Sequence, residues 1–184
     1  AAFYFQKKSR EDVTYTRMLM GTLVEVTLID GNRTDFDKAA EDAFAEIKRL
    51  EAIFSSYKPD SDATRVSVAA GKNPVKVAPE IIEVLKTALK ISELSGGAFD
   101  PTIGALGKLW GYSGEKGIVP SKEEIKKALA LVDYKKVVVD EENGTVFLKT
   151  TGMTINLGGV AKGYITSKAA EILKRNGVTE GIIK

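Results

Sequence analysis

An α+β fold is predicted by three features of the 184-residue sequence: a β-branched run, "TLVEVTLI", near its start, two short strands joined by Asn-Gly, and four segments that read as helices from apolar spacing or a capping box. An apolar fraction of 43% can supply the core of one compact domain, or of one domain with part of another.

The elements follow in order. Residues 1–17 are expected to be a flexible, processed leader ahead of a folded portion spanning 18–184. In "TLVEVTLI", Leu23, Val24, Val26, Leu28 and Ile29 mix with threonines and stop at the turn "DGNR", which predicts a strand. Thr34 and Asp35 then cap a helix in which Phe36, Ala40, Phe44, Ile47, Leu50 and Phe54 recur near helical spacing. The polar stretch "SSYKPDSDATRVS" reads as an ordered loop, because its proline disfavours helix at the preceding lysine. Pro79 opens a second helix through Leu94 that "SGG" ends. From Ala98 to Gly117 the glycine-rich "AFDPTIGALGKLWGYSGEKG" reads as a loop with a core-facing side. Ser121 and Glu124 form a capping-box pattern for a helix to about Val132. "KVVVD" and "TVFLKT" flank "EENG" as a hairpin, and "MTINL" reads as a further strand. A last helix, "VAKGYITSKAAEILKRNG", carries Ala161, Ile165, Ala169, Ile172 and Leu173 on one side and stops at Gly177. "GIIK" begins another strand, so the chain is expected to be part of a longer fold.

Composition removes whole classes of function. Net charge is +2 with acids and bases interspersed, and no basic block is long enough for a nucleic-acid arm, so nucleic acid is not expected as a partner. With no Cys and no His there is no thiolate nucleophile, no Ser-His-Asp triad and no structural zinc. Any metal is then a hard cation held by oxygens. No apolar run reaches the ~18 residues of a membrane span.

Four stretches carry candidate chemistry. "INLGGVAKGY" places glycines between a strand and a helix, the arrangement in which backbone N–H groups hold an anion, or simply a tight corner. Its spacing matches neither the dinucleotide-binding nor the P-loop fingerprint. In "GGAFDPTIG", Asp100 is held extended by the following proline and can accept from a hydroxyl or ring N–H, though Asp-Pro also suffices as a turn. Tyr57 in "FSSYKPDS" can stack on an aromatic ligand or pack its ring on the domain. Met20, in "MGT", reads as core packing at a strand entrance.

The order of these stretches, "MGT", "FSSYKPDSD", "GGAFDPTIGALGKLWG" and "INLGGVAKGY", resembles the ApbE family of FAD:protein FMN transferases over residues 18 to 184. The resemblance implies an ApbE-like, T-fold-related mixed α/β architecture cut short at the C-terminus. It implies Mg²⁺-dependent transfer of FMN from FAD to a threonine hydroxyl of an acceptor protein, with release of AMP. Relatives that hydrolyse FAD to FMN and AMP, and a flavin-binding protein without turnover, are the alternatives. By motif position, Met20, Tyr57, Ala98, Phe99, Asp100, Asn156 and Lys162 would contact FAD, Tyr57 against the ring and Lys162 near the phosphates. The carbonyl of Gly159 would be a Mg²⁺ ligand, and the remaining ligands, an aspartate and a threonine, would come from a portion beyond Lys184. An aromatic at Tyr57 is typical of the transferases in that resemblance. Asn156 departs from the aspartate common there, exchanging a charge for hydrogen-bond donors. The same resemblance implies the outer face of a bacterial cytoplasmic membrane, with a lipid anchor absent from this sequence.

Overall fold

The structure, a computed structural model, describes residues 11–110 and 119–184. Residues 1–10 of the expected leader and 111–118 of the glycine-rich stretch lie outside the described residues. The elements are β1 (Glu11–Leu19), β2 (Thr22–Gly31), α1 (Arg33–Phe54), α2 (Asp62–Val68), β3 (Val75–Lys76), α3 (Pro79–Leu94), α4 (Gly104–Leu109), α5 (Lys122–Leu129), β4 (Val137–Asp140), β5 (Thr145–Leu148), α6 (Gly158–Arg175) and β6 (Gly181–Ile183). A 3₁₀ turn at Tyr134–Lys136 precedes β4. The chain divides into two compact units, 1–51 with 163–184 and 52–162, whose boundaries fall inside α1 and α6.

In the first unit an antiparallel sheet has the order β1-β2-β6. Glu11–Arg17, expected in the leader, belong instead to β1, which pairs with β2 from Glu11↔Gly31 to Leu19↔Thr22. Only Val13 of this edge strand is buried, so it carries too few apolar residues to stand out in a sequence window. Cross-strand contacts fix it: Thr14 and Thr27 hydroxyls lie 2.9 Å apart, and the Tyr15 hydroxyl donates to Asp37 at 2.6 Å. Burial and that bond to a carboxylate push the Tyr15 phenol up to about 12. Arg17 pairs with Glu41 and lies 5.3 Å over the Phe44 ring.

Alternation along β2 buries Val24, Val26 and Leu28. Phe36, Ala40, Phe44, Ile47 and Leu50 of α1, and Ile165, Ala169 and Leu173 of α6, are buried as their helical spacing predicts. Each large aliphatic side chain so buried contributes roughly 1.5–3 kcal/mol against exposure. The start of α1 differs slightly from expectation: Asn32, not Thr34, supplies the capping oxygen, accepting the Thr34 N–H at 3.2 Å. "GIIK" forms β6, and Lys184 exchanges backbone hydrogen bonds of 3.0 and 2.9 Å with Glu25.

In the second unit the sheet order is β3-β5-β4, all antiparallel, with β4 and β5 joined through the Asn-Gly turn as expected. Pro79 sits at the start of α3, and Ser121 and Glu124 make the capping box of α5. Two stretches expected as loops contain helix. Ser61 caps α2 by accepting the Thr64 N–H at 3.1 Å, a start signal hidden among turn residues. Residues 104–109 form α4 despite two glycines, because Gly104 is packed directly against residue 154.

Conversely, "MTINL" is not a ladder strand: among the described residues it forms a single parallel bridge, Ile103↔Thr154. Its backbone groups go elsewhere. Ile155 donates to the Ser67 hydroxyl at 3.2 Å, Asn156 to the Pro101 carbonyl at 2.8 Å, and Thr154 accepts from Gly104 at 3.2 Å. Satisfied by loops and one side chain, the segment stays extended without strand neighbours. Met153, Ile155 and Leu157 point into the core of this unit.

Candidate functional site

A cavity of about 330 Å³ opens in the second unit, lined by Ser56, Tyr57, Gly104, Gly107, Lys108, Thr154, Ile155 and Asn156. Three chain segments meet there, and each is held by identifiable bonds. The loop bearing Tyr57 is closed by Ser61, 2% exposed, whose hydroxyl donates to the Ser55 carbonyl while capping α2. That leaves the Tyr57 side chain 65% exposed at the cavity, with a ring face available to a planar ligand. The segment 153–157 forms a second wall through the bonds to Ser67 and Pro101.

The third segment, 98–104, is latched by Asp100. Its Oδ1 accepts the Thr102 N–H at 2.8 Å and the Thr102 hydroxyl at 2.6 Å, and its Oδ2 accepts the Tyr134 N–H at 2.9 Å. Thr102, fully buried, in turn accepts the Asp133 N–H at 2.8 Å. Each member is satisfied by the next, so the loop and the 3₁₀ turn form one hydrogen-bonded unit. Both oxygens of Asp100, which is expected to offer a carboxylate to a ligand, accept bonds within this latch. Thr102 was not singled out in the sequence; the Asx turn implicit in Asp-Pro-Thr is the signal that marks it.

Phe99, next to the latch, lies over the start of α6. A Cβ built on Gly159 would come within 3.0 Å of the Phe99 ring, so the glycine admits the ring. A Cβ at Gly104 would come within 2.7 Å of the Thr154 carbonyl oxygen, so here a glycine lets two backbones meet at the cavity wall.

Of the expected site residues, Tyr57 and Asn156 line the cavity. Ala98 is exposed, Phe99 and Asp100 are half-buried beside the wall, and Gly159 and Lys162 are exposed on the first turns of α6. Met20 belongs to the other unit. Rather than packing in a core it sits half-buried in the turn between β1 and β2, at φ +54 beside Gly21 at φ +73, the paired positive values of a tight hairpin. Ser56, Gly104, Gly107, Lys108 and Thr154 are lining residues that the sequence did not mark.

As a magnesium site the described residues fall short. No three acidic side chains gather to hold a metal ion among the described residues, and Gly159 brings only a carbonyl oxygen. The described residues therefore do not compose a Mg²⁺ site by themselves.

Residues 20–184 match the model of the ApbE family. The chain belongs to the ApbE family. A relative from Klebsiella pneumoniae, named FAD:protein FMN transferase, is 31% identical over 172 residues, which are 92% of this chain and 52% of that protein. The crystal structure of the ApbE protein of Thermotoga maritima superposes with a TM-score of 0.83 at 33% identity, covering 90% of this chain and 53% of that one. The flavin transferase ApbE of Vibrio cholerae shares the fold, with a TM-score of 0.87 at 23% identity over 96% of this chain and 57% of that one. The chain spans about half the length of the curated relatives it matches.

Proposed function

We propose that the whole protein transfers FMN from FAD to a threonine hydroxyl of an acceptor protein in a Mg²⁺-dependent reaction. The observation that carries this reading is the match of residues 20–184 to the ApbE family, supported by the name of the 31%-identical relative. In the reaction the threonine oxygen bonds to the FMN phosphorus, the bond from that phosphorus to the bridging oxygen breaks, AMP leaves and the hydroxyl proton is lost. Such chemistry rests on positioning and charge neutralisation and needs neither His nor Cys.

This chain's share is the binding of the flavin half. Tyr57 offers its exposed ring face, Asn156 and Ser56 offer polar groups, and Lys108 brings a positive charge to a cavity that no carboxylate lines among the described residues. The Asp100–Thr102 latch holds the wall on which Gly104 and Thr154 meet. Mg²⁺, when bound, would neutralise phosphoryl oxygens; we assign it the Gly159 carbonyl together with an aspartate and a threonine beyond the described residues. The setting that fits this role is the outer face of the cytoplasmic membrane, with a lipid anchor.

The test incubates the whole protein with FAD, Mg²⁺ and a threonine-containing acceptor peptide, following AMP and peptide mass. AMP matched by flavin-labelled peptide, abolished by EDTA, is expected. AMP with free FMN would make the protein an FAD pyrophosphatase, and flavin binding without AMP would make it a carrier.

A further inference from the structure

The short helix α2 brings a hydroxyl at every third residue, Ser61 at its cap, then Thr64 and Ser67, while Ala63 and Val66 bury its apolar side. The hydroxyls reach two different cavity walls. At the start of α2, Ser61 and Thr64 both donate to the Ser55 carbonyl, Thr64 at 3.4 Å, and so fix the root of the loop that presents Tyr57. At its end the Ser67 hydroxyl donates to the Ala63 carbonyl at 2.8 Å and accepts the Ile155 N–H at 3.2 Å, a bond between residues 88 apart in the chain. Ile155 is fully buried, and its N–H has no other acceptor among the described residues. Thr154, Ile155 and Asn156 line the same cavity as Tyr57, whereas Ser67 does not line it. One helix therefore ties both walls together from behind.

We infer that Ser67 is a positioning residue of the cavity, holding the wall of Thr154, Ile155 and Asn156 in fixed relation to Tyr57 through α2. The inference rests on the reading that the cavity takes FAD, and it assigns Ser67 no contact with the ligand. A hydroxyl suits the place because it gives its proton to a carbonyl and offers a lone pair to an N–H at once. Alanine does neither. The helix itself loses little by that change, since the Ser67 bond to Ala63 is a local back-bond and alanine is the better helix former. The loss falls on the Ile155 N–H, left buried and unpaired, and the segment relieves it by moving away from α2. A site whose walls are free to move binds its ligand less well because the ligand must then order them.

Three variants of the whole protein test it: Ser67→Ala, Ser67→Thr and Val66→Ala. Amide hydrogen exchange followed by NMR reads the bond, and flavin-fluorescence titration reads the site. In Ser67→Ala the Ile155 amide is expected to exchange at least about tenfold faster, and FAD to bind about fivefold more weakly. Ser67→Thr keeps the hydroxyl and is expected to match wild type in both. Val66→Ala removes buried methyls from the other side of the same helix, so it lowers the unfolding temperature while FAD affinity stays within about twofold of wild type. Wild-type FAD affinity in Ser67→Ala, or an unchanged Ile155 exchange rate, overturns the assignment and leaves the functional reading intact. So does a Val66→Ala protein that loses FAD affinity as much as Ser67→Ala, because the effect then follows stability alone. A Ser67→Thr protein that binds as weakly as Ser67→Ala while its Ile155 amide stays protected also overturns it. A wild-type protein that binds no FAD overturns the functional reading and this assignment with it.

Discussion

Thr102→Val tests the latch behind the cavity wall. The wild-type hydroxyl donates to Asp100 at 2.6 Å and accepts the Asp133 N–H at 2.8 Å from a fully buried position. Valine matches the shape and removes both bonds. A hydrogen bond to a charged acceptor contributes about 1.5–3 kcal/mol, and a buried N–H left unpaired costs about 1–3 kcal/mol. Because the Asp133 bond is only part-buried, its loss falls toward the lower end, and the added methyl recovers about 0.8 kcal/mol. The net destabilisation is about 3 kcal/mol, which for a chain of this length lowers the unfolding temperature by roughly 6–12 °C. Thr102→Ser keeps the oxygen and loses a methyl, for about 1 kcal/mol. Asp100→Ala combined with Thr102→Val is expected to cost less than the sum of the single changes by about 0.5–3 kcal/mol, since both break one network. Thermal and urea unfolding followed by circular dichroism measure these values. A Thr102→Val protein within about 0.5 kcal/mol of wild type, or strict additivity in the cycle, would refute the reasoning. FAD titration of the same proteins asks a second question. If Thr102→Val, which leaves the Asp100 carboxylate in place, weakens FAD as much as Asp100→Ala does, Asp100 acts by positioning the loop rather than by touching the ligand.

Gly104→Ala is expected to destabilise by about 1–3 kcal/mol, because its Cβ meets the Thr154 carbonyl oxygen at 2.7 Å and forces two backbones apart at the cavity wall. An equal or higher unfolding temperature, as helix propensity alone predicts, would contradict the close approach. For Tyr15, with its phenol pushed up to about 12, the neutral form is favoured by folding. Its contribution to stability is complete below the ordinary tyrosine range near pH 10 and is lost as pH rises through about 12. Ultraviolet titration of wild type against Tyr15→Phe should lose one late-titrating phenol of the six tyrosines, and a difference curve centred near 10 would contradict it.

Where an element buries a continuous face, the residues alone declare it. The period of Phe36 to Leu50, the Pro79 start, the Ser121–Glu124 box and the Asn-Gly hairpin are local signals, and the structure forms each of those elements. The glycine-bearing stretch at Gly158 and the exposed Tyr57 were also legible, because each departs from the pattern of a buried element. What composition concealed was decided by long-range partners. β1 reads as leader until β2 is beside it, "MTINL" reads as a strand until Ser67 and Pro101 take its hydrogen bonds, and Ser61 caps a helix amid turn residues. The site shows the same division. The sequence by itself determined which residue types these 184 residues bring, an asparagine, a tyrosine, an aspartate and glycines, with no thiol and no imidazole among them. Tertiary structure alone decided what those groups face. Asp100 is turned inward by Tyr134, 34 residues away, and the orientation of the Asn156 amide is set by a backbone N–H that can only donate. Hydrogen-bond polarity belongs to a residue, but the partner that consumes it or leaves it for a ligand is fixed only when the chain folds.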